Sequence, residues 1–466
     1  MKHTKGGEEK MRSMKGAGRV LVGLVVLWTV SSARAGEWED YLKSPYQDFR
    51  WNWLIRDGHL AYGQGKYKEA LDNYQAAMDK GCKDPLMLFR VGYCHRALRD
   101  SEEAAKYFSA SKAGLAADYP KHRYNWFSRY YLAELFFEKG LALEAEKEKA
   151  TECYRKAREE LEEAIARSPK FAQAFILYGN IHYQQGEHEL AVEKYVRAHE
   201  INPKSAQALI NLGASYAAIG KYEEALQAYT KAKALSPQDV KIFLATGGIY
   251  SEMKKPDEAL KEYEGALQIQ PNSEKALVGA GNAAWQTGKN KEAVEYYQKA
   301  LAENLRSYEA LLGLGLVMLK TNYETLLELG LVTEKKVQFE KAEAYFKECL
   351  KVKPRSREAH YNLGVLYDSQ GDFDNAIKQY VQAIEIDPDD ESCYYNVGLA
   401  FIKAGLYEQA KSHLNDAIER FGKESKWGKA NLKLLELIDK IEKGKEAEVE
   451  RELEKAREEG EPSGRP

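Results

Sequence analysis

Residues 203–236 read PKSAQALINLGASYAAIGKYEEALQAYTKAKALS, and the 34 that follow repeat their skeleton as PQDVKIFLATGGIYSEMKKPDEALKEYEGALQIQ. Four prolines, Pro169, Pro203, Pro237 and Pro271, stand 34 residues apart. Ten residues after each comes a glycine (Gly179, Gly213, Gly247, Gly281), and twelve further on an alanine (Ala191, Ala225, Ala259, Ala293). Four beyond that stands a tyrosine (Tyr195, Tyr229, Tyr263, Tyr297), and after three more a second alanine (Ala198, Ala232, Ala266, Ala300). Five positions recurring together at one period mean a stack of like units, each burying its apolar face against its neighbours.

Within one unit, residues 172–185 and 188–201 carry side chains at helical spacing: Phe175, Tyr178 and His182, then Leu190, Ala191, Lys194 and Tyr195. The glycine and first alanine are small where the two helices cross. The tyrosine is the knob that fills the gap. The proline stops the second helix, because it has no amide to donate and its ring clashes with a continuing turn. This Gly–Ala–aromatic–Ala–Pro spacing resembles the tetratricopeptide repeat, a helix–turn–helix unit. The resemblance implies an all-α fold, a right-handed superhelical solenoid whose first helices line a concave, partner-binding groove.

Counting outward gives about ten repeats: 51–84, 85–118, 126–171, 172–205, 206–239, 240–273, 274–307, 308–356, 357–390 and 391–424. The third and eighth hold 12 and 15 extra residues, read as lengthened helices. The alternative for the leucine-rich segment 326–331 is a projection that meets a partner. Residues 425–443 read as a capping helix with Trp427, Leu432, Leu435 and Ile438 inward, and 444–466 as a solvated charged tail.

A net charge of −3 argues against a nucleic-acid surface. Lys15 and Arg19 precede an apolar run, 20–30, and the small residues Ala33 and Ala35 flank Arg34. This is the pattern of a secretory signal peptide, residues 1–35, cut after Ala35 and followed by a lead-in, 36–50. The expected location is exported, periplasmic or secreted, in a bacterium. An uncleaved N-terminal membrane anchor is the alternative, and the one case that brings membrane contact. Among the cysteines, Cys349 takes a small core position, while a Cys82–Cys94 disulfide stays open.

No motif carries catalysis. Gly279-Ala280-Gly281-Asn282-Ala283-Ala284 matches a dinucleotide fingerprint but sits inside a helix with no strand before it. His182 and His188 lack further ligands, and the acidic residues 387–391 mark an ordinary turn. Neither an enzyme, a cofactor nor a metal is expected. The family resemblance places Asn180, Tyr183, Asn211, Lys241, Asn282, Trp285, Asn362 and Asn396 on the groove, where amides can both donate to and accept from a peptide backbone. A carboxylate clamp like that of chaperone-binding relatives is incomplete, because Ile176 and Ala245 stand where basic residues belong. Removing Asn180 and Asn211 should weaken binding and spare stability. A second candidate surface is aromatic: Tyr62, Phe89, Tyr93, Phe127 and Tyr130, with Trp51 and Trp53 nearby. The expected function is a non-catalytic scaffold binding a protein or peptide in the cell envelope. The alternatives are an accessory subunit of an envelope enzyme or assembly machine, and a self-associating structural oligomer.

Overall fold

The computed structural model describes residues 52–118 and 124–443, and the described residues form 22 helices and no strand. Repeats 1 to 3 are α1 (Asn52–Gly63) with α2 (Tyr67–Asp79), α3 (Pro85–Ala97) with α4 (Ser101–Asp118), and α5 (Tyr124–Ala142) with α6 (Lys147–Arg167). Repeats 4 and 5 are α7 (Ala172–Gln185) with α8 (His188–Ile201), and α9 (Ala206–Ala218) with α10 (Tyr222–Leu235). Repeats 6 and 7 are α11 (Val240–Glu252) with α12 (Pro256–Ile269), and α13 (Glu274–Gln286) with α14 (Asn290–Glu303). Repeat 8 holds three helices, α15 (Tyr308–Lys320), α16 (Tyr323–Glu328) and α17 (Lys335–Val352). Then come α18 (Arg357–Ser369) with α19 (Phe373–Ile386), α20 (Glu391–Lys403) with α21 (Tyr407–Phe421), and the last helix α22 (Lys426–Glu442). The chain divides into two compact units, Met1–Ile242 and Phe243–Pro466. The expected signal peptide, the lead-in, Trp51, the Trp53 side chain and the charged tail lie outside the described residues.

Local chemistry starts and ends these helices. The side chains of Asp84, Ser205, Ser356 and Asp390 accept from backbone amides of the first turns of α3, α9, α18 and α20. Within every repeat but the third the chain reverses through a left-handed residue. This is Gly186 in repeat 4 (φ 80°) and Gly288 in repeat 7 (φ 80°), while Lys254 takes the same place in repeat 6 at φ 56°.

The two helices of a repeat meet at the glycine. A Cβ on Gly179 would lie 2.5 Å from Tyr195 Cε1, and one on Gly281 2.6 Å from Tyr297 Cε1. The rings of Tyr195 and Tyr297 are buried, as are both alanines of repeats 4 to 7, so four of the five signature positions mark the core while the prolines stay exposed. Two stripe residues differ from expectation: Leu190 is 44% exposed, and Lys194 lies over the Tyr178 ring at 5.3 Å. They fall beside the stripe Ala191, Tyr195 and Ala198 that faces α7.

The first insertion lengthens both its helices, to 19 residues in α5 and 21 in α6, as expected. The second does not. α15 keeps the ordinary 13 residues, and the added chain forms the separate six-residue α16 and an extra turn at the start of α17. The Asn322 side chain accepts from Thr325 N at 2.8 Å and starts α16, and Gly330 at φ 68° turns the chain out of it. Leu326 is fully buried and Val332 nearly so, which ties the segment to the core, while Leu327 is 44% exposed.

The last helix also departs in register: Gly428, Asn431, Leu434, Leu437 and Ile438 are buried, while Trp427, Leu432 and Leu435 are half-buried. Ser425 caps it through its hydroxyl, and the helix turns its 428–431–434 line toward the array. The Trp427 ring lies against Tyr395, 5.1 Å between centroids. All five cysteines are free and buried, so the Cys82–Cys94 bridge does not form. Burial pushes the Cys94 thiol up to about 12.

Candidate peptide-binding groove

In the C-terminal unit the first helices α11, α13, α15, α18 and α20 together line a cavity of about 1510 Å³. Its walls include Asn282, Trp285, Asn362 and Asn396, four of the eight expected groove residues. The arm added to repeat 8 supplies a further wall through 321–325, Lys335, Gln338 and Phe339. Sequence reasoning did not place that wall. The signals were the Asn322 cap and the Gly330 breaker, which cut the leucine run before it becomes a helix extension.

Asn282 is fixed by its repeat's own knob, and Asn362 and Asn396 by groups of the first helices. Tyr297 donates its hydroxyl to Asn282 Oδ1 at 2.6 Å, leaving the Asn282 amide N–H2 toward the groove. Asn396 Nδ2 donates to the Tyr361 hydroxyl at 3.0 Å, and Asn362 Nδ2 to the Glu358 carbonyl at 2.8 Å. Asn362 and Asn396 are themselves buried, at 7% and 9% exposure, while Asn282 is half-buried. Trp285, 6% exposed, is mostly core. Burial pushes the Tyr297 and Tyr361 phenols upward, so both stay neutral donors.

The N-terminal unit holds the other four residues, and here the bonds close inward. Asn180 Oδ1 accepts from the Tyr195 hydroxyl at 2.7 Å and from Asn211 Nδ2 at 2.8 Å. Gln207 Nε2 in turn donates to Asn211 Oδ1 at 2.7 Å. Asn180 and Asn211 are buried, so removing both leaves a buried tyrosine hydroxyl without its acceptor and costs stability, contrary to expectation. Tyr183 and Lys241 are half-buried. One signal announces the knob bond: the residue after the repeat glycine lies 15 positions before the tyrosine. It is Asn180, Asn282 and, in repeat 1, His59, whose Nδ1 is 2.6 Å from the Tyr74 hydroxyl.

The aromatic surface is a ladder of contacts. Tyr62 meets Tyr93 edge-on at 5.4 Å, Tyr93 meets Tyr131 at 5.6 Å, and Phe127 meets Phe171 at 5.1 Å. Phe89 and Tyr130 are buried and belong to the core, while Tyr62, Tyr93 and Phe127 are half-buried. Behind the ladder, Arg96 lies 5.4 Å over Tyr131 and 2.6 Å from the Glu134 carboxylate. Burial pushes Glu134 up to about 7 against the pull of Arg96.

Repeated two-helix units and an amide-lined groove define a helical-repeat scaffold of the protein-interaction kind. Models described as tetratricopeptide repeat match residues 56–120, 206–239, 240–273, 278–322, 323–356, 358–390 and 391–423, and one described as TPR repeat matches 179–220. These matches span well over half of the sequence, and the chain belongs to the tetratricopeptide repeat family. The match at 323–356 begins on the added arm, where the structure has the six-residue α16. No curated protein matches the chain. Among solved structures it is similar to YrrB, described as a TPR protein with an unusual peptide-binding site, at 24% identity over 43% of this chain and 95% of that one, TM-score 0.33. It is also similar to Pseudomonas aeruginosa PilF (20% identity, 52% and 96% covered, TM-score 0.39). Yeast Tom70 is a third (13% identity, 84% and 96% covered, TM-score 0.42).

Proposed function

We propose that this protein is a non-catalytic scaffold that holds an extended segment of a partner protein in the groove of its C-terminal unit, and that it works outside the cytoplasm, in a bacterial cell envelope. The observation that carries the binding reading is the row of asparagine amides, half-buried Asn282 and the buried Asn362 and Asn396, lining a cavity of about 1510 Å³. Small-molecule pockets usually enclose roughly 300–1,000 Å³. A longer cleft with amide walls suits a peptide backbone, which offers donors and acceptors in alternation. The envelope location rests on the charged, apolar and small-residue pattern of residues 1–35.

The test uses the mature chain as bait in envelope extract, with Asn282→Asp as its control. That change keeps the acceptor for Tyr297 and removes the outward N–H2. A partner held by the parent and lost by the variant, at equal melting temperature, supports the reading. A partner held equally by both sinks the groove as the site. An enzyme in fixed ratio makes the protein an accessory subunit, and self-association alone makes it a structural oligomer. N-terminal sequencing of the exported protein should begin at Gly36. An intact 20–30 segment in the membrane fraction establishes an anchor instead.

A further inference from the structure

The arm added to repeat 8 divides the groove's contacts into two kinds. Six aromatic residues line the cavity. Tyr263, Trp285, Tyr361 and Tyr380 are buried, at 9%, 6%, 6% and 3% exposure, and give a ligand little surface. Tyr323 and Phe339 are half-buried. Tyr323 stands on the arm and Phe339 at its foot, and both pack on the same core cluster as the half-buried Leu319. The groove's accessible aromatic surface is therefore supplied by the insertion, while the regular repeats supply amides.

The arm is a fixed wall. Leu326 and Val332 anchor it in the core, and the Tyr323 hydroxyl reaches the Thr333 carbonyl at 3.4 Å. Gln338 Nε2 donates to the Met318 and Thr321 carbonyls at 2.7 and 3.0 Å and ties α17 to the end of α15. Gln338 lines the cavity, is 4% exposed, and its Oε1 accepts no hydrogen bond. Charge on the walls is balanced: Lys254, Lys320 and Lys335 against Glu252, Glu324 and Asp368, the last already held by Lys403 at 2.7 Å. A strongly acidic or basic ligand gains nothing from such a wall.

We propose that the arm creates one apolar subsite between backbone-reading amides, and that the groove's ligand is an extended, near-neutral peptide segment presenting a single large apolar side chain to Tyr323, Phe339 and Leu319. The subsite rests on the groove being a peptide site and narrows which peptides it takes. Asn282 lies on the repeat before the arm and Asn362 and Asn396 on the two after it, so the subsite is internal to the segment. The ligand is read along its length and needs no free C-terminal carboxylate. Five first helices about 10 Å apart span roughly 40 Å, the length of about twelve extended residues.

The test uses fluorescein-labelled twelve-residue peptides of Ser, Thr and Gln, capped at both ends, with Leu, Phe, Ser or Asp at a central position. Anisotropy titrations against the full chain should show the Leu and Phe peptides binding at least about tenfold tighter than the Ser peptide, and the Asp peptide no tighter than Ser. Tyr323→Ala should cut that preference to about threefold, and Tyr323→Ala with Phe339→Ala should abolish it. The Ser peptide, titrated against each variant, is the reference for that preference, and it should lose less affinity than the Leu and Phe peptides. The single variant covers the case in which the double variant folds poorly, which its helical melting curve reports. Equal binding of the Leu, Phe and Ser peptides, or a preference that survives both changes, overturns the subsite alone. If no peptide binds at millimolar concentration, the groove reading falls with it.

Discussion

At the residue scale the fold rests on a glycine beneath a tyrosine. Gly179→Ala sets a methyl group 2.5 Å from a ring that is 2% exposed and has nowhere to move. Overpacking of this kind costs about 1–3 kcal/mol. Urea denaturation should show that loss, and an unchanged midpoint would mean the helices separate without penalty. Leu305 offers the opposite change. It stands 34 residues after Pro271, is 81% exposed, and follows Asn304 at φ −140° and ψ 95°. Asn202, which precedes Pro203, has φ −129° and ψ 86°, so the backbone ahead of position 305 already has the extended form a proline requires. Leu305→Pro should stabilise by about 0.4–1 kcal/mol and raise the melting temperature. A fall would show that position 305 needs its amide.

Glu134 gives a residue-scale prediction in pH. Its folded-state pKa is raised, from an ordinary 4.5 to about 7, mainly by burial. The folded state therefore binds the proton more tightly, and between those values its stability falls as pH rises. Glu134→Gln, which stays neutral, should lose this dependence. Relative to the parent it should gain stability from pH 5 to pH 8, by roughly 3 kcal/mol at most. A stability difference independent of pH would place the ordinary ionisation in the folded state. The comparison must be made against the parent at each pH, because carboxylates held low by partners, such as Asp390 bonded by the Ser392 hydroxyl and beside Arg357, shift the baseline the other way.

At the scale of elements, helix pairs were legible because their period and their chemistry agree. The bounds 172–185 and 188–201 coincide with α7 and α8, since a proline, a left-handed glycine and two alanines all mark the same edges. Where the period breaks, composition alone misled. The run through 326–331 is rich enough in leucine to read as helix, yet a capping asparagine and one glycine made it a separate wall. The groove asparagines were found by position but not by bonding, because the sequence does not reveal which end of an amide a tyrosine knob will claim. The cap was legible as an element and in part of its register: Ile438 is buried as expected, Trp427 and Leu435 pack at the edge of the core, and Leu434 and Leu437 lie deeper. Its removal is a clean test: truncation after residue 424 uncovers Tyr395 and Leu414, now 1% and 0% exposed. The shortened chain should self-associate more strongly than the parent by light scattering. A stable monomer would mean α22 is dispensable as a cover.

At the scale of the whole molecule, stability is a sum of repeats and the interfaces between neighbours. Such a chain has no single transition that a scan must report, so variants should be compared repeat by repeat. The same construction governs how it answers tension. Held by its two ends and stretched, the array should pay out in a staircase, most treads releasing 34 residues, or roughly 110–120 Å of extended chain. Repeats 3 and 8 hold 12 and 15 residues more, so two treads should be visibly longer than the rest. Their order of appearance in a force trace would rank the repeats by mechanical strength.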